Sequence, residues 1–116
     1  MAKPTDRTRP THTPEQVDEL VAASEIATGI LPTIDWCRDL DQQLRDAIAD
    51  HLDLVRRQQA ALADRSRGWY LRDKLITATD EALQTQMGSG SLSAALHVAG
   101  LGRQLRALAH CIRAAS

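Results

Sequence analysis

Phenylalanine is absent from these 116 residues, and the aromatic side chains are confined to Trp36, Trp69 and Tyr70. With alanine and leucine supplying most of the apolar content, strand signals are missing and helices are favoured. No segment has the roughly eighteen consecutive apolar residues of a membrane-spanning helix, and the amino terminus lacks the apolar core of a secretory signal. A cytoplasmic protein without a membrane partner is therefore expected. Cysteine is limited to Cys37 and Cys111, which suit a reducing compartment as small apolar side chains. Lysine is nearly missing too, two residues against twelve arginines, a ratio that reads as coding bias more than as a selected arginine surface. His-Glu-x-x-His, Cys-x-x-Cys and a glycine-rich phosphate loop after a strand are all absent.

What is present is helical periodicity. Between Pro32 and Gly68 there is no glycine or proline, and Leu40, Leu44, Ile48, Leu52, Val55 and Leu62 recur at helical spacing. One long amphipathic helix over about 33–64 follows, capped by Thr33 with Asp35 in its first turn, and its apolar stripe demands helical neighbours. Thr13-Pro14-Glu15-Gln16 reads as a capping box with a first-turn proline, opening a helix over 14–30 that carries Val17, Leu20, Val21, Ser24, Ala27 and Ile30 on one side. Trp69, Leu71, Leu75, Ile76, Ala78, Ala82 and Leu83 place a third helix over 68–87, behind a tight link at 65–68. Gly88-Ser89-Gly90-Ser91 is the clearest loop. The last helix, over 91–114, would turn Leu92, Ala95, Leu96, Ala99, Leu105, Leu108, Ala109 and Ile112 inward. Gly100 and Gly102 in its middle call for a close approach of a neighbouring helix at the Ala95, Ala99 and Gly102 face, or a kink at Gly100.

The expected fold is thus all-α, an up-down antiparallel bundle of four helices in one domain over 14–116, preceded by a disordered polar tail over 1–13. In that topology Cys37 and Cys111 sit at opposite ends of parallel helices, too far apart for a disulfide.

Charge is unevenly placed: residues 1–64 carry net −5 and residues 65–116 net +4. Arg103, Arg106, His110 and Arg113 form a basic stripe on the fourth helix, and Asp46, Asp50 and Asp53 a matching acidic stripe on the second. Pairing within the chain or across a homodimer ranks ahead of phosphate contacts to nucleic acid. Trp69 and Tyr70, flanked by Arg65, Arg67 and Arg72, form either a plug at the bundle's end or an aromatic contact patch for a protein partner. The metal-ligand candidates His51, His97, His110 and Cys111 do not share a helix face, so no metal, cofactor or catalytic residue is assigned. His51 reads as a boundary residue at the bundle seam and, if buried, as the pH-sensitive position.

Leu40-Asp41-Gln42-Gln43-Leu44-Arg45-Asp46-Ala47-Ile48-Ala49-Asp50-His51-Leu52 and Trp69-Tyr70-Leu71-Arg72-Asp73-Lys74-Leu75, followed by Gly88-Ser89-Gly90 and Ser93-Ala94-Ala95, carry a resemblance over about 14–114. With these stretches the chain resembles an uncharacterised actinobacterial family of short helical proteins labelled as associated with natural-product biosynthesis. The resemblance implies a setting in secondary metabolism and supplies no catalytic residues. Three functions are then in play: a non-catalytic accessory or regulatory protein-interaction bundle first, a nucleic-acid-binding regulator using the basic half second, and a ligand-binding or enzymatic bundle around His51 third.

Overall fold

The computed structural model describes residues 12–30 and 32–114, and every regular element among them is a helix. Helix α1 (Pro14–Ile30) opens on the expected capping box: Thr13 N–H donates to Gln16 Oε1 at 2.7 Å, and Gln16 N–H donates back to Thr13 Oγ1 at 3.1 Å. Helix α2 (Ile34–Ala60) is capped by Thr33, whose Oγ1 accepts from Trp36 N–H at 3.1 Å. Ser66 caps α3 (Arg67–Gln84) in the same way through Trp69 N–H at 3.3 Å, and α4 runs from Ser91 to Ala114.

Two helix ends differ from expectation, and tertiary contacts explain both. Helix α2 stops at Ala60, short of residue 64, where Gln58 and Gln59 reach across to neighbouring helices. Gln58 Oε1 accepts from Arg72 Nε at 3.3 Å, and Gln59 Nε2 donates to Trp69 O at 3.4 Å. The link that follows reverses direction through Arg65, which takes a left-handed φ of 61°, while Gly68, expected in the link, lies in the first turn of α3. Leu62 accordingly leaves the apolar stripe of α2 and folds over Gly68. Helix α3 stops at Gln84, ahead of residue 87, because Arg45 of α2 closes its end: Nη1 donates to Leu83 O and Nη2 to Thr85 O, both at 2.7 Å.

Contacts along the helices fix an up-down order. Thr79 of α3 meets Gln104 of α4 while Ala82 and Thr85 share a groove with Leu96 and His97, and Arg45 of α2 meets the end of α3, so each of these consecutive pairs is antiparallel. Helices α2 and α4 run parallel across the diagonal, with His97 beside Asp41 near their starts and Gln58 beside Ile112 O near their ends. Cys37 and Cys111 are both free and lie at opposite ends of this diagonal pair.

The core is one cluster centred on that diagonal, where Leu44 and Ile48 of α2 meet Leu101, Leu105 and Leu108 of α4, all fully enclosed. Truncating any of these to alanine would cost about 2–5 kcal/mol. Helix α1 closes onto α4 through Val17, Val21 and Ser24, and the approach is near enough that Gly102 is required. A Cβ built at Gly102 would run into Ser24 Oγ and lie 2.7 Å from Ser24 Cβ, whereas one at Gly100 would meet only Arg103 Nη2, at 3.7 Å. Close approach is therefore the reason for Gly102, and Gly100 shows no such reason.

The inward face of α4 is rotated from the expected one. Ala94, Val98 and Leu101 point to α2, which turns Leu92 and Leu96 outward at 55% exposure each. Ile30 of α1 and Leu71 of α3 are likewise exposed. Of the expected tail, residues 1–11 lie outside the described residues, but His12 and Thr13 are tied down. Thr13 forms the capping box, and His12 Nδ1 lies 2.9 Å from Asp50 Oδ2. No helix among the described residues is long and apolar enough to cross a membrane.

Candidate functional site

His51 is set by the same row of α2 that builds the core, one turn beyond Ala47 and Ile48. It is 3% exposed, a core residue and not the boundary residue its sequence context suggested. Its Nδ1 lies 2.7 Å from the carbonyl oxygen of Ala47. A carbonyl only accepts, so Nδ1 carries the proton and, in the neutral ring, Nε2 carries the lone pair. Burial pushes the imidazole pKa down from its ordinary 6.5. The Ala47 carbonyl and nearby Asp50 oppose that shift, and nearby His12 adds to it.

Nε2 has no partner among the described residues, yet no fully enclosed side-chain nitrogen or oxygen there lacks one. The atom therefore reaches open space, and that space is a pocket of about 430 Å³ at one end of the bundle. The entry of α1 forms one wall with His12, Thr13, Pro14, Val17 and Asp18, and the last turns of α4 form the other with Ala109, Ile112 and Arg113. The capping box aligns the first wall, and the His12–Asp50 pair ties it to α2 beside His51. The size and mixture suit a small-molecule site, mostly apolar with few polar groups, between helices of a bundle.

The other singled-out residues lie elsewhere. The charge stripes of α2 and α4 are not paired with each other among the described residues, since the two helices meet through their apolar seams. Asp46 lines a groove of about 570 Å³ between α1 and α2 and accepts from Gln42 at 2.9 Å, while Asp53 pairs with Arg57 on its own helix at 2.6 Å. Arg103, Arg106, His110 and Arg113 line a groove of about 510 Å³ between α1 and α4, where Arg106 pairs with Glu25 of α1. Within the chain, the expected match between the two stripes gives way to these pairs. Trp69 is half-buried with Tyr70 exposed against it, ring centroids 5.3 Å apart and planes at 89°. No three His, Cys, Asp or Glu side chains among the described residues converge to hold a metal ion.

A second polar cluster was not singled out from sequence. Asp41 Oδ1 lies 2.6 Å from His97 Nε2, and both Asp41 oxygens accept from Arg45 Nε at 3.1 Å. With Arg45 also holding the end of α3, the cluster joins α2, α3 and α4. The i, i+4 spacing of Asp41 and Arg45 was visible in the sequence, but their link to His97 depends on how the helices pack. Comparison with family models, curated proteins and solved structures found no match to this chain.

Proposed function

We propose that this chain is a ligand-binding helical bundle, with its site in the pocket that His51 opens onto. One observation carries this: a buried neutral imidazole keeps its acceptor nitrogen unpartnered among the described residues and turned toward a pocket of about 430 Å³. A polar atom in so apolar a place costs roughly 1–3 kcal/mol if nothing bonds to it, so a leucine there would suit a purely structural core better. His51 hydrogen-bonds to no nucleophilic side chain among the described residues, and the proposal is for binding, not turnover. In the natural-product setting that the sequence resemblance implies, small apolar ligands are a reasonable cargo. The test is a fragment titration followed by backbone amide NMR. Aromatic fragments are expected to shift amides of Val17, His51 and Ile112 together, and Ala109→Phe, which fills the pocket, to abolish this. Shifts scattered over the surface, or untouched by Ala109→Phe, would count against it.

A second reading, an accessory protein-contact bundle, is favoured by the outward ridge of α4. There Leu92 and Leu96 stand exposed one turn apart, and Arg103 has no ion-pair partner among the described residues. It makes self-association sensitive to Leu96→Glu in light scattering, and an unchanged mass would remove it.

A further inference from the structure

We infer that the pocket beside His51 takes an apolar amine, a compact hydrocarbon body bearing one ammonium group. This rests on the ligand-binding reading above and names the chemistry of its occupant. The free polar groups on the walls decide it. His51 has committed its Nδ1–H to Ala47 O, so the ring offers the pocket a lone pair and no proton. Asp18, on the second turn of α1, lines the same pocket and is a carboxylate with no hydrogen-bond or ion-pair partner among the described residues. Apart from the Thr13 hydroxyl, which can donate as well as accept, the available groups accept, and one is negative.

The nitrogen-bearing side chains on the walls already have partners. His12 is held by Asp50 at 2.9 Å, and Arg113 has a partner of its own. The backbone N–H of Thr13 is committed to Gln16. An anionic or acceptor-only ligand would thus meet a lone pair and a carboxylate without a free charged donor. An ammonium supplies three N–H donors and one positive charge, enough for both His51 Nε2 and Asp18, while Val17 and Ile112 cover the hydrocarbon body.

Four probes of one shape separate the terms: benzylamine, benzyl alcohol, phenylacetate and toluene, titrated near neutral pH with amide NMR as readout. Benzylamine is expected to bind about fivefold tighter than benzyl alcohol, the size of a partly exposed ion pair, with phenylacetate weakest. Asp18→Asn, a change on an exposed residue, should bring amine and alcohol level. His51→Leu should reduce benzyl alcohol to the affinity of toluene. Phenylacetate binding as well as benzylamine, or an amine preference that survives Asp18→Asn, would overturn the inference while leaving a ligand pocket in place. Failure of all four probes to shift pocket amides would overturn the ligand-binding reading itself.

Discussion

The two glycines of α4 should respond oppositely to the same substitution. Alanine in place of a helix-interior glycine gains about 1 kcal/mol from backbone entropy alone. At Gly100 nothing opposes that gain, since the added methyl would meet only the far end of Arg103 at 3.7 Å. At Gly102 the methyl would lie 2.7 Å from Ser24 Cβ, about 1 Å inside ordinary carbon–carbon contact, and would also run into Ser24 Oγ. Ser24 cannot swing aside cheaply, because its hydroxyl donates to Val21 O at 2.7 Å and the side chain is fully enclosed. Helix α1 must therefore lift from α4, an overpacking penalty of about 1–3 kcal/mol that exceeds the entropic gain. At roughly 4–8 °C per kcal/mol for a domain of this size, Gly100→Ala should raise the melting temperature by a few degrees and Gly102→Ala should lower it by a similar or larger amount. Circular dichroism melts and urea titrations of both variants measure this. A third variant sharpens it: adding Ser24→Gly to Gly102→Ala removes both clashing atoms and should recover most of the loss, a coupling that a double-mutant cycle isolates. Equal stabilisation by both alanines would refute the close approach of α1 and α4.

Arg45→Ala removes the fork that closes α3 and the guanidinium that donates to Asp41 alongside His97, so a loss of roughly 2–4 kcal/mol is expected. Hydrogen exchange should quicken first at Leu83 to Gly88, and an unchanged melt would show that Arg45 holds nothing. The pH dependence of His51 has a definite sign. Its folded pKa lies below 6.5, so as pH falls through that value the unfolded chain takes up a proton that the folded chain refuses. Stability present above pH 6.5 is lost toward lower pH, at no more than about 1.4 kcal/mol per unit. His51→Leu should remove that component, and wild-type and variant stability curves that stay parallel between about pH 7 and 5 would contradict it.

Local signals were enough for the helices and their order. Thr13 with Gln16, Thr33, and the Gly88–Ser91 loop act within a few residues of themselves, and each sets a helix boundary where its chemistry predicts. The misplaced ends of α2 and α3 have a different origin. Gln58, Gln59 and Arg45 act on residues of other helices, and nothing in their own neighbourhood says which carbonyls they will meet. The rotated face of α4 has a related cause. Leucine at 92 and 96 is the stronger hydrophobe, but close packing against α1 selects the smaller Ala95, Ala99 and Gly102, and the leucines follow that choice outward.

His51 was half legible. Its place one turn from Ile48 and Val55 puts it on the inward row of α2, but whether its second nitrogen finds a partner depends on the entry of α1 and the end of α4. The polar cluster near the start of α2 makes the contrast clear. There Asp41, Arg45 and His97 bond to one another and to the end of α3, and these side-chain bonds hold three helices together. Further along the same helix, His51 is more deeply buried and bonds only within α2, to the Ala47 carbonyl. His51 Nε2 and the Asp18 carboxylate, neither with a partner among the described residues, line one pocket, and it is on this shared wall that the proposed ligand-binding reading rests.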